Sequence, residues 1–234
     1  MYSSIVVLTG AGISKESGLN TFRDQGGLWE GYHVEEVATP EAFAKNPELV
    51  HRFYNMRRAQ LLSDDIRPNL AHQTLADFEK NFEGHFLLVT QNVDNLHERA
   101  GSHNLLHMHG ELTKVRCQVT NEVFDWEGET NPDTPHPTTP TLSGTLRPHI
   151  VWFGEMPMHM PQIEHALSQC DLFIAIGTSG LVYPAAGFAQ WTPKTCHRVE
   201  INMEETAVSP IFHEHLFGPA SKTVPDFFTK ITAP

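Results

Sequence analysis

The sequence predicts an α/β fold in which helices cover both faces of a doubly wound parallel sheet. Short apolar runs, each followed by a polar or glycine turn, lie at Ile5–Thr9, Phe86–Thr90, Leu172–Ile176 and Arg198–Asn202. Segments with helical character separate these runs along the chain. Strands that alternate with helices are typical of βαβ units, and these units build parallel sheets.

Between the strands, the pattern predicts helices over Glu41–Lys45, Pro47–Leu62, Asn69–Glu79, Met160–Gln169, Val182–Gln190 and Lys222–Ile231. We expect a further strand over Leu105–Leu112. From Lys114 the composition changes to short β-rich stretches and a loop rich in Pro and Thr. We therefore predict a Rossmann-like domain from residues 1–113 and 148–234, with a helical insertion at about 31–75, and a small inserted module at 114–147.

Composition limits the possible partners. The formal net charge of −12 argues against nucleic-acid binding, which depends on clustered Lys and Arg. No apolar run approaches the roughly 20 residues of a membrane span, so we expect no membrane partner. The three cysteines are too few and too scattered for a disulfide framework. Together with a first strand that begins near Met1, they predict a cytoplasmic protein, and we expect a monomer.

The turn after the first strand, Gly10-Ala11-Gly12-Ile13-Ser14, is a candidate phosphate-binding loop. Glycine permits positive φ, and without a Cβ the main chain can approach an anion closely. Lys15 stands where the dinucleotide fingerprint has its third glycine, so the match is incomplete. A tight strand-to-helix turn that touches no ligand is the alternative reading.

A second group of candidates, Gln91, Asn92 and Asp94, follows the Phe86–Thr90 strand directly. Polar side chains at the carboxyl end of a parallel strand lie where open α/β sheets bind ligands. These residues can bind sugar hydroxyls and a carboxamide, although Asn and Asp are also common in turns and helix caps.

Several separate blocks of this chain, in this order, resemble the sirtuins, a family of NAD-dependent protein-lysine deacylases. The blocks cover nearly the whole chain and read GAGIS with FRD and GLW, TQNVDNLHERAG, HMHGEL, RPHIVWFGE, GTS and INME. By resemblance, the fold is Rossmann-like and NAD is consumed as a co-substrate. In this family the glycine turn serves glycosyl transfer and no hydride moves. The absence of the third glycine, where Lys15 stands, therefore fits the resemblance.

The resemblance implies a set of NAD-binding residues, in which Arg23 lies by the phosphates and Phe22 covers the nicotinamide ribose. The full set is Gly10, Ala11, Gly12, Ile13, Ser14, Phe22, Arg23, Trp29, Gln91, Asn92, Asp94, Gly177, Thr178, Ser179, Asn202, Met203 and Ala220. It also implies a catalytic set of His109, Asn92 and Asp94. Of the 15 histidines, His109 matches the family's HGE motif, and imidazole suits a general base near neutral pH.

The implied mechanism begins when the acyl-lysine oxygen attacks C1′ of the nicotinamide ribose and nicotinamide leaves. His109 then helps a ribose hydroxyl attack the resulting alkylamidate, and water releases free lysine and O-acyl-ADP-ribose. Acylated lysine in proteins is thus the expected partner. The alternatives are an NAD or ADP-ribose binding module without catalysis and a mono-ADP-ribosyltransferase. An ordinary Rossmann dehydrogenase is the least favoured alternative, because its fingerprint has a third glycine that this chain lacks.

Substrate contacts are also implied by the resemblance. Val151, Trp152, Phe153 and Gly154 resemble the segment that pairs with the substrate peptide as an added strand. Tyr54 and Arg57 resemble the Y-x-x-R pair of the subgroup that removes succinyl, malonyl or glutaryl groups. A guanidinium can hold the distal carboxylate of such a group in a bidentate pair. From the spacing alone, an exposed helical Tyr and Arg is the simpler reading.

One departure from the family lies in the small module, where sirtuins usually carry two Cys-x-x-Cys pairs that bind zinc. Here Cys117 stands alone, and Thr120 takes the second position. One thiolate, with His136 as a possible helper, is too little for a closed tetrahedral site, so we predict no zinc.

Overall fold

The computed structural model describes residues 2–20 and 31–232, and the main chain of Leu28 and Trp29. A 3₁₀ helix, Ala11–Ser17, follows the first strand. The strands are β1 (Ser4–Thr9), β2 (Leu28–Trp29), β3 (Tyr32–His33), β4 (His85–Thr90), β5 (Leu105–His107), β6 (Gly110–Cys117), β7 (Val123–Asp125), β8 (Leu146–Ile150), β9 (Leu172–Ile176), β10 (His197–Asn202) and β11 (Glu214–Phe217). The α-helices are α1 (Val34–Val37), α2 (Pro40–Lys45), α3 (Pro47–Leu61), α4 (Leu70–Asn81), α5 (Leu96–Ala100), α6 (Met160–Gln169), α7 (Phe188–Trp191) and α8 (Ala220–Thr232).

The central sheet has the strand order β11-β10-β9-β1-β4-β5, and every neighbouring pair in it is parallel. Side chains of β1 alternate between two cores. Ile5 and Val7 pack into the core that includes α4 and α8, whereas Val6 and Leu8 pack into the core that includes α6 and α7. Both faces of the sheet are therefore covered, as the continuous apolar runs require. The predicted α/β fold with a parallel sheet is confirmed.

The helical insertion packs against residues of α5, β6 and β8, among them Leu96, Leu112 and Ile150. Helix α3 begins after Asn46, whose side chain accepts the main-chain N–H of Leu49, and Pro47 occupies its first turn. The predicted bounds of this helix hold to within one residue. The helix expected over 182–190 is formed only in part: a 3₁₀ turn at Ala185–Gly187 is followed by the single turn of α7. Pro184 and Gly187 are poor helix formers, which explains why a longer regular α-helix does not form here.

A second sheet has the order β7-β6-β8 and is antiparallel. The single strand expected over 105–112 is also wrong, because the chain leaves the central sheet at His107 and enters this sheet at Gly110. Gly110 has a φ of +87°, and a Cβ there would lie 2.1 Å from the carbonyl oxygen of His149. Only glycine fits this crossing between sheets. The division into the two predicted domains stays a prediction.

The loop after β7 is fastened to the helical insertion by buried polar contacts. Arg58 is 1% exposed and donates to the carbonyl oxygens of Leu112, at 2.8 Å, and Gly128, at 3.0 Å. Asn55 exchanges hydrogen bonds with the main chain of Thr130 in both directions. Arg58 is therefore a structural link between the helical insertion and the small module.

Cys117, Cys170 and Cys196 are buried and form no disulfide with one another. Among the residues that the structure describes, no helix has the length and apolar character needed to cross a bilayer.

Candidate active site

The site is organised by the register of four adjacent strands. Thr9 of β1 aligns with Thr90 of β4 and with Ile176 of β9, and Thr90 aligns with His107 of β5. The residues that follow these strands therefore share one edge of the sheet. The chain adds β4 on one side of β1 and β9 on the other, so β1 lies at the topological switch point where α/β proteins bind ligands.

The glycine turns after β1 and β9 pack against each other, main chain to main chain. The N–H of Gly12 donates to the carbonyl oxygen of Gly177 at 2.8 Å. A Cβ on Gly12 would lie 2.7 Å from the Cα of Gly177, and Gly177 has a φ of +61°. The structure thus brings the predicted cofactor-binding residues Gly10–Ser14 and Gly177–Ser179 together along one wall of the edge.

Asn92 and Asp94 lie against the first glycine turn and are each 7% exposed. The Asn92 amide donates to the Gly10 carbonyl oxygen and to Ser14 Oγ, both at 3.2 Å, and Ser14 Oγ donates to Asp94 Oδ2 at 2.9 Å. Burial raises the pKa of Asp94, while the Leu96 N–H and the Ser14 hydroxyl oppose that shift. These three polar side chains form one connected group at the switch point.

On the other side of the edge, Gln91 Nε2 donates to Thr178 Oγ1 at 3.0 Å, and Asn202 Nδ2 donates to the Thr178 carbonyl oxygen at 2.8 Å. Met203, which follows β10, is 60% exposed, and Ala220 begins α8. The Gly218 N–H donates to the Asn202 carbonyl oxygen, which ties the start of α8 to the same edge.

His109 lies in the turn between the two sheets and is half-buried. Its Nδ1 is 3.1 Å from the carbonyl oxygen of Gln91. A carbonyl oxygen only accepts, so Nδ1 carries the proton and Nε2 of the neutral ring has the lone pair. Burial lowers the pKa of His109, and the Gln91 carbonyl only partly opposes this. The ring is therefore neutral at pH 7 and presents a basic nitrogen.

The segment expected to bind the substrate peptide follows β8 and is not itself a strand. The N–H of Val151 donates to the His109 carbonyl oxygen, and the N–H of Phe153 donates to that of Ala38. Phe153 is 39% exposed and Gly154 has open space around its Cα. Trp152 is 2% exposed, and its side chain packs in the core of the helical insertion. The expected main-chain pairing of this segment with the substrate peptide stays a prediction.

Tyr54 and Arg57 differ in exposure, contrary to the reading of an exposed pair. Tyr54 is fully buried, and its hydroxyl accepts the indole N–H of Trp152 at 2.9 Å. Arg57 is half-buried, with its guanidinium carbon 5.0 Å from the centre of the Phe53 ring. Burial lowers the pKa of Arg57. A partly desolvated guanidinium on an aromatic face is well suited to pair with an anion.

The sequence did not predict a buried layer of histidines, His72 and His97, beneath the site. His97 Nε2 is 3.0 Å from Thr9 Oγ1, and the His72 and His97 rings lie 4.8 Å apart. Burial lowers the pKa of His72 to about 4, so this ring is neutral. Nε2 of His72 faces Ser14 Oγ at 3.5 Å. The sequence signal was weak, since a histidine at a core position of a helix has no distinctive spacing.

Phe22 and Arg23 lie outside the described residues. For Trp29 the structure gives the main chain alone, as part of the β2–β3 hairpin. Their predicted contacts with NAD stay predictions.

Comparison with known proteins agrees with this geometry. The Sir2 family profile matches residues 10–184, which span the glycine turns, the polar group and His109. The chain belongs to the Sir2 family.

Individual relatives of this sirtuin are similar over almost its full length. An NAD-dependent protein deacylase of Rhodopirellula baltica is 56% identical over 237 residues, covering 98% of this chain and 99% of the relative. An NAD-dependent protein deacylase of Escherichia coli K12 is 55% identical over 229 residues, covering 97% of this chain and 81% of the relative.

Solved structures show the same fold. A Sir2 homologue in complex with NAD is 39% identical, with a TM-score of 0.88, and the match covers 98% of this chain and 90% of the homologue. A mutant Sir2 homologue in complex with ADP-ribose is 37% identical, also with a TM-score of 0.88, and the match covers 100% of this chain and 95% of the homologue.

Proposed function

We propose that this sirtuin is an NAD-dependent protein-lysine deacylase that removes succinyl and malonyl groups, and also acetyl groups. The observation that carries this proposal is the placement of His109. The His109 ring is bonded to the main chain of Gln91, at the same edge of the sheet as the glycine turns and the buried Asn92–Ser14–Asp94 group. Relatives named NAD-dependent protein deacylases support the reaction class.

The residues at the edge fit NAD by the chemistry of their side chains. Gln91, Asn92 and Asn202 provide amides that donate and accept, Asp94 provides a carboxylate, and Thr178 provides a hydroxyl. Such groups suit a carboxamide and the hydroxyls of two riboses, and the glycine turn admits a pyrophosphate. When bound, NAD supplies the electrophilic ribose carbon and accepts the acyl group.

Each residue of the catalytic set then has a distinct part. His109 accepts a proton at Nε2 from a ribose hydroxyl, and the Gln91 carbonyl keeps the ring in the required tautomer. Asn92 and Asp94 orient the hydroxyls and the carboxamide, since both are fixed by Ser14. No metal takes part in this scheme.

Arg57 supports the preference for acidic acyl groups. Its guanidinium is partly withdrawn from water, which strengthens a pair with a distal carboxylate. Tyr54 is proposed to support the acyl pocket from below, with its hydroxyl fixed by Trp152. The main chain of Val151, Phe153 and Gly154 is proposed to line the path of the acyl-lysine.

Mass spectrometry of acetyl-, malonyl- and succinyl-lysine peptides incubated with NAD tests this function. We expect loss of the acyl mass from the peptide, with one nicotinamide and one O-acyl-ADP-ribose for each lysine freed. His109→Tyr is the control and should leave the peptides intact. Binding of NAD without any product would indicate a silent NAD-binding module, and a gain of ADP-ribose mass on a protein acceptor would indicate mono-ADP-ribosyl transfer.

We also propose that the small module binds no structural zinc. Cys117 Sγ is engaged by protein groups, lying 3.1 Å from Thr145 Oγ1 and accepting the Thr120 N–H. Val115, Cys117 and Leu146 form a small core with Phe124, Trp126 and Leu142, and the bonds of Asn55 and Arg58 hold the loop. Elemental analysis of purified protein should find zinc far below one atom per chain. A stoichiometric content that survives dialysis against a chelator would contradict the proposal.

A monomeric state and a cytoplasmic location complete the proposal. The three buried thiols are compatible with a reducing compartment. Light scattering of the purified chain measures the first property, and fractionation of the source cells measures the second.

A further inference from the structure

His107 forms a contact pair that the proposed chemistry does not use. It ends β5 and is 7% exposed. Its Nδ1 lies 3.2 Å from the main-chain carbonyl oxygen of Asn92, and its Nε2 lies 2.6 Å from Glu98 Oε1. A carbonyl oxygen and a carboxylate oxygen both accept hydrogen bonds. Each ring nitrogen must therefore carry a proton for both bonds to exist, and this makes the ring an imidazolium.

The same contacts argue against a cation at this place. Among the residues that the structure describes, Glu98, His107 and Glu111 form a group whose potential ligand atoms all lie within 4.8 Å of one another. A histidine ligand needs an unprotonated ring nitrogen. In His107 both nitrogens face acceptors, so the two carboxylates are better explained as counter-charges to the imidazolium.

The titratable and charged groups around His107 come from three elements. Glu98 and His97 lie on α5, Glu111 and Lys114 lie on β6, and Asp94 lies in the loop after β4. Burial lowers the pKa of His107, but the hydrogen bond and charge of Glu98, with help from Glu111, raise it above the ordinary value of 6.5 overall. Lys114 pairs with Glu111 at 2.8 Å, which weakens the influence of that carboxylate.

We propose that His107 is a positioning residue, in which an imidazolium braced by Glu98 holds the main-chain carbonyl of Asn92 and so fixes the Asn92 and Asp94 side chains at the site. The Asn92 side chain is tied on its other side to Gly10 and Ser14. Asn92 is therefore held from both ends, by a charge-assisted bond at the carbonyl and by neutral bonds at the amide. The inference rests on the proposed roles of Asn92 and Asp94.

The direction of the pH effect follows from the raised pKa. Protonated His107 supports the site fully below the ordinary value of 6.5, and this support is lost as the pH rises through the higher value of the folded chain. The loss therefore appears as an alkaline decline in activity. The base His109 acts in its neutral form, so its titration appears on the acid side and is separable.

Steady-state kinetics with an acyl-lysine peptide across pH 6 to 10 test the inference. We expect Glu98→Gln to move the alkaline limb of kcat/KM for NAD toward lower pH by about 1–2 units, since one charge-assisted hydrogen bond is removed. Glu111→Gln is the matched control, because it removes a nearby carboxylate that forms no bond to His107, and its shift should be smaller. His107→Gln should lower kcat/KM for NAD about 10- to 100-fold at pH 7 and abolish this limb.

NMR titration of histidine-labelled protein, with His107→Gln to assign the signal, measures the protonation directly. We expect the His107 pKa above 6.5 in the unaltered chain and lower in Glu98→Gln. An unshifted alkaline limb in Glu98→Gln, or equal shifts in Glu98→Gln and Glu111→Gln, would overturn the inference. If the unaltered chain releases no nicotinamide with any peptide, the proposed function fails instead, and the NMR result still decides the state of His107.

Discussion

Replacing His109 by asparagine is expected to lower the rate of peptide deacylation by about 10²- to 10⁴-fold, the usual contribution of a general base. The asparagine amide can still donate to the Gln91 carbonyl oxygen that Nδ1 of His109 contacts at 3.1 Å. The fold of the turn is thereby preserved, while the basic Nε2 is removed. Affinity for NAD should change little, because the amides and the carboxylate of the edge stay in place.

Two measurements separate this loss from damage to the site. Exchange of labelled nicotinamide into NAD should persist in His109→Asn, because attack of the acyl oxygen precedes the step that needs the base. His103→Asn, at an exposed position of the preceding loop, is the control and should retain full activity. In the unaltered enzyme the acid limb of kcat/KM should lie below pH 6.5, since burial lowers the pKa of His109. An active His109→Asn enzyme would exclude His109 as the base.

Replacing Arg57 by methionine is expected to remove most desuccinylase activity and to leave deacetylase activity largely intact. Methionine keeps an unbranched apolar stem on the Phe53 ring but removes the charge that would pair with the acyl carboxylate. Loss of one charge-assisted bidentate pair predicts a fall of about 100-fold in kcat/KM for succinyl-lysine. Peptide mass spectrometry or a coupled nicotinamide assay measures both activities in parallel.

Arg52→Met is the matched control, because Arg52 lies about 1.4 turns earlier on α3 and is exposed. It should leave both activities unchanged. An equal fall in desuccinylation and deacetylation by Arg57→Met would contradict the carboxylate assignment and indicate a structural role for that side chain. Arg58 is unsuitable as a control, since its bonds to Leu112 and Gly128 hold the small module.

The sequence was sufficient for the sheet and for one wall of the site. Strand β1 is a run of apolar residues because both of its faces are buried. Since β4 is parallel to β1, the polar residues that follow β4 lie at the same edge of the sheet as the turn that follows β1. Each of these patterns is local in the sequence and determines where its residues lie in a parallel sheet. The predicted residues Gly12, Asn92, Asp94 and Gly177 therefore lie together without any further assumption.

The chain crossing at residues 108–110 and the burial of Tyr54 were beyond such patterns. Leu105–Leu112 has uniform strand character. The change of sheet depends on the positive φ of Gly110, and the sequence does not show whether a glycine in such a run lies within a strand or in a turn. Tyr54 and Arg57 share one side of α3, but Tyr54 packs against Trp152, which is 98 residues away. Long-range packing of this kind has no sequence period.

The contact between the two glycine turns has a consequence for biosynthesis. The N–H of Gly12 in the first turn donates to the carbonyl oxygen of Gly177, which is synthesised 165 residues after Gly12. A growing chain that has released β1, β4 and β5 from the ribosome still lacks that support, and the loop to be closed is long. The wall formed by the two glycine turns is therefore complete only after β9 has been synthesised, and a chain fragment that ends before Gly177 lacks this contact.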